Sequence, residues 1–399
     1  MTKSENELIN ILITGGTGFV GKAVIARLLE KPWVGRLFIL ARPQRGRPAT
    51  ERVEKQLTVM YGADRAKELT GRVVGVAGDL TSPALGLGAD DMALLKAECQ
   101  QILHCGASTD FSASLAEARV INLEGTRHVL TVADELRRDG VLKRVDYVST
   151  AYVAGSAGRV VTENDLDIGQ GFQSPYEQSK FEAEKLIHAW KRDYPVTIHR
   201  PSIVVGQSYN GYTPHFKVLY WPLMIMARNM AQFFVCNPRS YLDVVPVDYV
   251  ADAIVALLPD SEAAGRTFLL SGGLGKEVRV RQFINDALDL AEVKRKPIMP
   301  VWLFDFIRKV PPLRRLLPNE FWSVAEMAMP YYRYLRGIKT RFNPAETLRH
   351  LERSGVKPPE WPNYKSQIIQ FCIDSRWGKR LPQPEHTYYE LPKVAVQQV

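Results

Sequence analysis

The first half of the chain alternates between two hydrophobic patterns. Short apolar runs, typical of strands buried on both faces, alternate with segments in which apolar residues recur at helical spacing. This alternation favours an α/β fold with a doubly wound parallel sheet, in which ligands bind beyond the carboxyl ends of the strands. The runs predict strands at 10–15, 36–41, 72–80, 101–107, 144–150 and 196–206, and the helical spacing predicts helices at 20–31, 115–138 and 175–193.

The alternation fades after Gly206, where prolines and aromatic residues become frequent. Beyond that point, only 242–258 has the pattern of a return to the sheet. We therefore expect three parts along the chain. They are a sheet domain (1–205 plus about 241–272), a smaller, mostly helical C-terminal substrate lobe (206–240 plus about 273–380) and a loosely ordered tail (381–399).

Composition is ordinary for a globular protein, with 46% hydrophobic and 24% charged residues among 399. The four cysteines are far apart and match no zinc spacing, so we expect reduced thiols and no metal site. The N-terminus lacks an apolar signal segment, and no window is apolar enough to span a membrane. These features together predict a cytoplasmic protein.

A glycine-rich turn joins the first predicted strand to the first predicted helix. Gly15, Gly18 and Gly21 follow a G-x-x-G-x-x-G spacing. Glycine allows close approach of a ligand to the backbone, and the new helix offers free N–H groups and the positive end of its dipole to a pyrophosphate. A strand before the motif and a helix after it are the context that dinucleotide binding requires, and a plain strand–turn–helix is the simpler alternative.

The second predicted strand favours NADPH over NADH. For NAD, an acid at the end of this strand is expected to bind the ribose 2′-hydroxyl. Arg42 occupies that place here, with Arg45 and Arg47 behind it, and arginine can pair with a 2′-phosphate. A solvated basic loop would give the same pattern. At the end of the third strand, Asp79 suits either the adenine or the cap of the next turn.

A tyrosine four residues before a lysine, Tyr176 and Lys180, lies on a predicted helix. The same spacing recurs at Tyr389 and Lys393, where Pro392 disfavours a helix, so spacing alone decides nothing. An ammonium one helical turn away is expected to lower the pKa of a tyrosine from about 10 and make the phenol a usable acid–base group. The alternative is an ordinary pair on a surface helix.

Two hydroxyl residues, Ser149 and Thr150, end the strand before this helix, where they would face the same crevice. A second hydroxyl can hold the substrate oxygen at the point where negative charge develops. We expect His104, at the end of the fourth strand, to pack beside the sheet and to take no part in catalysis.

The order of glycine turn, strand-end hydroxyl and Tyr-x-x-x-Lys resembles the extended short-chain dehydrogenase/reductases. The resemblance runs from about residue 10 to 270 and includes NLEGT, RPSIVVG and LDVVPVDYVADAI. It implies a Rossmann domain and a catalytic set of Thr150, Tyr176 and Lys180, with Ser149 as an open alternative to Thr150. The cofactor-binding residues expected from the motifs and the resemblance are Gly15, Thr17, Gly18, Phe19, Val20, Gly21, Arg42, Asp79, Leu80, Ala107, Asn122, Lys180, Pro201 and Ile203.

Within that family, HCGASTDFSASLAEARVINLEGT, YVSTAYVAG and SPYEQSKFEAEKLI resemble fatty acyl-CoA reductases and the reductase domains of carboxylic acid reductases. Asp110 and Phe111 match a stretch typical of this branch. The resemblance implies NADPH-dependent reduction of an acyl thioester, on coenzyme A or a carrier protein, to an aldehyde or further to an alcohol. The alternatives are a reductase or dehydrogenase of a lipid-like ketone or alcohol, a sugar-nucleotide epimerase, and, least expected, a non-catalytic nucleotide-binding scaffold.

Most of the net charge of +9 lies in one segment, 294–341, which carries eleven basic and three acidic residues among bulky apolar ones. This mixture suits peripheral contact with an anionic membrane, an acidic carrier protein or the phosphates of coenzyme A, and equally a solvated basic face. No nucleic-acid-binding motif accompanies it, so we expect no nucleic acid partner. The apolar stretch 216–236 could line a tunnel for an acyl chain or form the core of the second lobe.

Overall fold

The computed structural model describes residues 8–44, 46–190, 194–216, 219–315, 317–328, 337 and 339–389. Arg45 and Lys393, both named above, lie outside these ranges. Seven strands form the central sheet: β1 (Ile9–Thr14), β2 (Val34–Ala41), β3 (Val73–Ala77), β4 (Gln101–His104), β5 (Arg144–Val148), β6 (Val196–Pro201) and β7 (Thr267–Leu270).

The central sheet is parallel and doubly wound, as the sequence predicts. Its order is β7-β6-β5-β4-β1-β2-β3, and every neighbouring pair of strands is parallel. The strand order reverses at β1, which lies between β2 and β4. In open α/β sheets this reversal leaves a crevice at the carboxyl ends of the strands, which is where a ligand binds.

Two expectations about the later strands were wrong in detail. The strand predicted at 196–206 is interrupted at Ser202, because Ile203–Val205 leaves the sheet and pairs with Val244–Pro246. The segment 242–258 therefore does not return to the central sheet, and most of it is helical. The seventh strand is β7, which the apolar pattern did not reveal.

Helices connect the strands and build the second lobe. They are α1 (Phe19–Leu28), α2 (Ala49–Glu68), α3 (Ala89–Glu98), α4 (Leu115–Arg119), α5 (Gly125–Asp139), α6 (Pro175–Trp190), α7 (Tyr220–Ala227), α8 (Val247–Leu257), α9 (Val280–Leu290), α10 (Val301–Lys309), α11 (Pro311–Arg314), α12 (Asn319–Ala328), α13 (Ala345–Glu352) and α14 (Trp361–Asp374).

The sheet lies between two helical layers. Side chains on β1 alternate: Ile11 and Ile13 pack into a core with α1, α2 and α8, whereas Leu12 packs into the opposite core with α3, α5 and α6. Burying each such aliphatic side chain contributes roughly 1.5–3 kcal/mol. This double burial explains why the strands appear in the sequence as continuous apolar runs.

The second lobe has its own hydrophobic core, contributed mainly by α7, α9 and α14. Two short strand pairs support this core. Phe234–Val235 pairs in parallel with Ile298–Met299, and Tyr241–Leu242 pairs antiparallel with Val278–Arg279. Helix α13, which we expected in this lobe, packs instead on the sheet, where the Thr347 hydroxyl accepts a hydrogen bond of 2.8 Å from the Leu269 N–H. The exact division between the lobes stays a prediction.

The described part of the tail, up to Tyr389, is packed. A short turn at Glu385–Tyr389 rests on α2, and Tyr388 and Tyr389 are buried. The ring of Tyr388 stacks on Tyr212 with centroids 4.8 Å apart, and the Tyr212 hydroxyl donates a 2.5 Å hydrogen bond to Glu385. Within the described residues, no helix combines the length and apolarity that a membrane crossing requires.

Candidate active site

The glycine turn lies where the strand order reverses, at the carboxyl ends of β1 and β4. Gly15 has a φ of 71°, and a Cβ atom on it would lie 2.5 Å from the backbone nitrogen of Gly106. A Cβ atom on Gly21 would overlap the carbonyl oxygen of Gly15. The Gly18 N–H closes the turn by donating to that same oxygen at 2.9 Å. Only glycine fits at Gly15 and Gly21, so the backbone and the start of α1 are exposed to a ligand, as a pyrophosphate requires.

A neighbouring helix holds this turn in place. Gln56, on α2, is buried and donates a 2.9 Å hydrogen bond from its side-chain amide to the carbonyl oxygen of Gly16. This contact could not be predicted from the sequence, because a glutamine on a helix carries no motif. The contact fixes the shape of the turn without using any group that faces the crevice.

Arg42 and Asp79 lie at the ends of β2 and β3. The Arg42 side chain is 68% exposed, and its Nη1 lies 3.9 Å from an oxygen of Asp79. Asp79 also accepts hydrogen bonds from the N–H and hydroxyl of Thr81, at 2.9 and 3.0 Å, so it caps the following turn as one alternative expected. An exposed guanidinium in so long an ion pair is accessible to an added phosphate. Arg47 pairs with Glu51 at 3.5 Å.

Thr150, Tyr176 and Lys180 converge in the crevice. Thr150 follows β5, and its hydroxyl donates to the carbonyl oxygen of Pro201 at 3.3 Å and accepts from the Tyr152 N–H at 3.2 Å. Tyr176 lies in the first turn of α6. Lys180 follows one turn later and is only 1% exposed, with its ammonium donating to the carbonyl oxygen of Val148 at 2.9 Å. The three side chains line one cavity with the glycine turn.

The protonation of this cluster differs from our expectation. Burial raises the pKa of Tyr176 to about 12, although the nearby Thr150 hydroxyl lowers it in part. Burial also lowers the pKa of Lys180 to about 8. The pKa of Tyr176 thus lies above its ordinary value and not below it as we expected, because the loss of water around the phenolate outweighs the hydrogen bond with Thr150. At neutral pH the phenol keeps its proton and the lysine is mostly charged, an arrangement suited to donating a proton.

Ser149 is engaged elsewhere. Its hydroxyl donates to Glu184 at 2.5 Å, and Glu184 forms a 2.5 Å ion pair with Arg200. All three side chains are buried. Burial alone would raise the pKa of Glu184. The attraction of Arg200 and the hydrogen bonds outweigh burial and lower this pKa to about 2, so the carboxylate stays ionised. Ser149 and Thr150 both line the cavity, but the Ser149 hydroxyl is bound to a buried carboxylate and the Thr150 hydroxyl to a neutral carbonyl; the choice of Thr150 stays a prediction.

The predicted cofactor residues divide into two groups. Gly15, Gly18, Phe19, Val20, Gly21, Ala107, Lys180, Pro201 and Ile203 line the cavity, whereas Thr17, Arg42, Asp79, Leu80 and Asn122 do not. Asn122 is 1% exposed: its amide bonds both the N–H and the carbonyl of Ser108, at 2.7 and 3.1 Å, and donates to the Ser179 hydroxyl at 2.9 Å. Asn122 therefore fastens the segment after β4 to α6, one residue from Lys180.

His104 packs beneath the crevice, as expected. Its two ring nitrogens lie 2.6 Å from the Thr14 hydroxyl and 3.1 Å from the Thr126 hydroxyl. Burial lowers the pKa of His104 to about 3, so the ring is neutral across the physiological range. A neutral imidazole with both nitrogens occupied is a packing group.

Several cavity residues were not singled out from the sequence. Cys105, Thr109, Tyr152 and Ser202 all line the cavity. Each follows the end of a central strand within a few residues, so position in the sheet is the signal that could have found them. Within the described part of the chain, no group of three or more His, Cys, Asp or Glu side chains could hold a metal ion.

The cavity continues from the crevice into the second lobe and has a volume of about 610 Å³. There its walls are mostly apolar and come from α7, the strand at Phe234–Val235, α9, α10 and α12. Tyr220 and Met226 of α7 line this cavity and also belong to the core of the lobe, so the segment 216–236 contributes to both, and its use by an acyl chain stays a prediction. Phe233 and Phe304 each contact Phe321, with ring centroids 4.6 and 6.1 Å apart, at the lobe end of the cavity.

A family model described as Male sterility protein matches residues 13–254, which is more than half of the chain. The chain belongs to this family. The match covers strands β2 to β6, the glycine turn and the Thr150–Tyr176–Lys180 cluster, and it confirms the resemblance to the thioester reductase and fatty acyl-CoA reductase branch of the extended short-chain dehydrogenase/reductases.

Two curated relatives of this male sterility family protein show the range of the match. Fatty acyl-CoA reductase wat of Drosophila melanogaster is 26% identical over 278 residues, covering 62% of this chain and 53% of the relative. The non-canonical nonribosomal peptide synthetase cpsA of Aspergillus campestris is 32% identical over 269 residues, covering 65% of this chain and 25% of the relative. The chain thus spans about half the length of the first relative and less of the second.

Among solved structures, the terminal R domain of the myxalamid PKS-NRPS pathway aligns with a TM-score of 0.75 and 25% identity. The alignment covers 94% of this chain and 93% of that domain. The likeness therefore includes the second lobe, beyond the span of the family model. Family and fold together support an oxidoreductase that uses a nicotinamide cofactor.

Proposed function

We propose that this protein uses NADPH to reduce an acyl thioester, carried by coenzyme A or a carrier protein, to an aldehyde. The observation that carries the proposal is the continuity of one cavity. It joins the glycine turn and the Thr150–Tyr176–Lys180 cluster to an apolar chamber in the second lobe. Cofactor, reacting carbonyl and acyl chain thus each have a surface of suitable chemistry within a single enclosure.

The residues present fit a dinucleotide. The turn at Gly15–Gly21 and the start of α1 would hold the pyrophosphate, and Lys180 would hold the nicotinamide ribose. Arg42 would pair with the 2′-phosphate, which is the basis for proposing NADPH over NADH. When bound, NADPH supplies a hydride to the carbonyl carbon of the thioester.

Thr150 and Tyr176 would act on the carbonyl oxygen. As negative charge develops there, the Thr150 hydroxyl donates a hydrogen bond to it. Tyr176, which holds its proton at neutral pH, transfers that proton to the oxygen, and the ammonium of Lys180 favours the phenolate that remains. The product is a hemithioacetal, whose carbon–sulfur bond breaks to give a thiol and an aldehyde. A second reduction would give the alcohol.

The shape and polarity of the cavity bear on the alternatives. A sugar nucleotide needs a hydrogen-bonding pocket, and the walls in the second lobe are mostly apolar. A lipid-like ketone or alcohol would suit the same walls, so reduction of such a substrate is the second candidate. A nucleotide-binding scaffold without turnover would not explain why the side chains of Thr150, Tyr176 and Lys180 line one cavity.

The test is a screen of NADPH consumption by the purified protein, with acyl-CoAs of short, medium and long chain, acyl-carrier protein, aldehydes and lipid-like ketones. We expect consumption with thioesters and formation of aldehyde or alcohol. Tyr176→Phe should lower turnover by about 10²–10⁴-fold while NADPH still binds. Tyr61→Phe, which changes a half-buried tyrosine of α2 away from the cavity, serves as the matched control. Consumption with ketones but no thioester would replace the proposal with the second candidate.

A further inference from the structure

Helix α10 has apolar side chains on opposite faces. Its inner face carries Phe304, which is buried and lines the cavity. Its outer face carries Trp302 and Phe306, whose exposed fractions are 70% and 56%. Trp302, Phe306 and the exposed Lys309 recur at i, i+4 and i+7, so they form one stripe along the helix. Large aromatic side chains this exposed and next to one another mark a surface that contacts something other than water.

The segment that contains that stripe, 294–315, is rich in basic residues. Three basic residues near it have acidic partners: Arg295 with Asp289 at 2.8 Å, Arg308 with Asp305 at 3.4 Å, and Arg314 with Glu326 at 3.6 Å. Four others form no ion pair with an acid in the described part of the chain. These four are Lys294, Lys296, Lys309 and Arg315, and all but the half-buried Lys296 are exposed.

We propose that the outer face of α10 docks the second lobe onto an anionic lipid surface. Exposed tryptophan and phenylalanine beside lysine and arginine is the composition of helices that lie in the membrane interface. The aromatic side chains enter the headgroup region, and the lysines meet the anionic headgroups. Membrane contact was one of several options that the composition of 294–341 left open, and the exposed side chains place the proposed contact on one stripe of one helix.

Charge argues against the simplest other occupant. A second copy of this chain, joined through the same face by a two-fold axis, would bring the same basic residues against one another. An acidic carrier protein would complement the charge, but charge pairing alone leaves Trp302 and Phe306 without an apolar partner. A lipid surface satisfies both features of the stripe.

Docking here would place the lobe end of the cavity next to the lipid. Phe304 is on the same helix as Trp302 and Phe306, one helix diameter away, and it lines the cavity. An acyl chain that leaves the lipid surface would thus have a short path to the apolar chamber. This consequence for substrate delivery rests on the proposed function, whereas the docking itself does not.

The experiment measures binding of the full chain to vesicles by sedimentation, with phosphatidylcholine alone and with phosphatidylserine added. We expect binding that requires phosphatidylserine and weakens with salt. Removing three lysines in Lys294→Gln/Lys296→Gln/Lys309→Gln should weaken binding roughly 100-fold, since each basic residue at such a surface contributes about fivefold. Lys55→Gln/Lys67→Gln/Lys357→Gln removes the same charge elsewhere and should leave binding within about threefold of the original.

A second variant isolates the aromatic side chains. Trp302→Ser/Phe306→Ser should weaken vesicle binding more than about tenfold, because two side chains no longer leave water. Neither Trp302 nor Phe306 lines the cavity, so turnover of a water-soluble acyl-CoA should be unchanged in this variant. The same holds for the variant that removes the three lysines. That activity reports on the proposed function separately from docking.

Four results would overturn the docking proposal. One is no binding to either vesicle, and another is equal binding by the Trp302/Phe306 variant and the original chain. The third is a dimer, detected by light scattering in the absence of lipid, that the same variant converts to a monomer, because the stripe would then be covered by a second copy. Binding of an acidic carrier protein that depends on Trp302, with no vesicle binding, likewise assigns the face to that partner.

Discussion

Substituting Ser149 and Thr150 one at a time separates two neighbouring hydroxyls that the structure uses differently. Thr150→Val keeps the shape of the side chain and removes its hydroxyl. Ser149→Ala removes the hydroxyl that donates to Glu184. We expect the first change to affect mainly turnover and the second to affect mainly stability.

The size of each effect follows from the contacts. If the Thr150 hydroxyl stabilises the developing oxyanion, its loss should lower kcat by about 10²–10³-fold. Its ground-state hydrogen bonds, with Pro201 and Tyr152, are long and neutral, so the free energy of unfolding should fall by only about 1–2 kcal/mol. Ser149 donates to a buried carboxylate, and such a charge-assisted bond is worth about 1.5–3 kcal/mol.

The assay is steady-state NADPH oxidation with the preferred acyl substrate, together with urea unfolding of each variant. Thr150→Ser, which keeps a hydroxyl, is the control and should retain most of the kcat that Thr150→Val loses. Ser149→Ala should lower kcat by less than about tenfold, because Glu184 still pairs with Arg200. A large fall in kcat for Ser149→Ala together with near-normal turnover for Thr150→Val would reverse the assignment and refute the reasoning.

Three further predictions test the cofactor site and the protonation of the cluster. In a fluorescence titration, Arg42→Ala should weaken NADPH binding about 10–100-fold and change NADH binding by less than about twofold, with Arg47→Ala as control. Equal losses of binding for both cofactors would remove the argument for NADPH. Burial lowers the pKa of Lys180 to about 8, so the ammonium is present below that pH and lost above it. We therefore expect kcat/KM to fall as pH rises through 8, and Lys180→Arg should move that fall to higher pH. If the pH profile of Lys180→Arg does not move, the fall in kcat/KM belongs to another group. Gly21→Ala should abolish dinucleotide binding and lower the free energy of unfolding by more than about 2 kcal/mol. The control Gly88→Ala, at a position with open space around it, should preserve binding and lower the free energy of unfolding by less than about 1 kcal/mol. Dinucleotide binding by Gly21→Ala would contradict the role of the glycine turn.

Most of the sheet was predictable because its strands are buried on both faces and therefore appear as apolar runs. Strand β7, Thr267–Leu270, was missed because it is short and lies beyond Gly206, where the alternation of strand and helix patterns fades. Its place in the sheet is fixed by pairing with β6, a partner 69 positions earlier in the register. The prediction that 242–258 returns to the central sheet was wrong for a related reason. The short strand in that segment pairs with Ile203–Val205 and not with the central sheet.

The candidate site was predictable to the extent that it follows from topology. The carboxyl ends of parallel strands meet at one edge, so a glycine turn after β1, hydroxyls after β5 and the start of α6 must be neighbours. Protonation was not predictable, since the pKa of Tyr176 depends on how far the folded chain buries its hydroxyl, which no motif records. The choice between Ser149 and Thr150 depends on Glu184, which lies 35 residues from Ser149 and carries no motif.

The turn at Glu385–Tyr389 has a consequence for how the molecule exchanges its ligands. It brings the end of the described chain back from the second lobe to α2, and it stacks on Tyr212, in the segment through which the chain first leaves the sheet for α7. The lobe is thus tied to the sheet at both its beginning and its end. Opening the cavity by swinging α14 away from the sheet would break the contacts of Phe371 with Tyr212 and Tyr388, so that route of ligand exchange is costly.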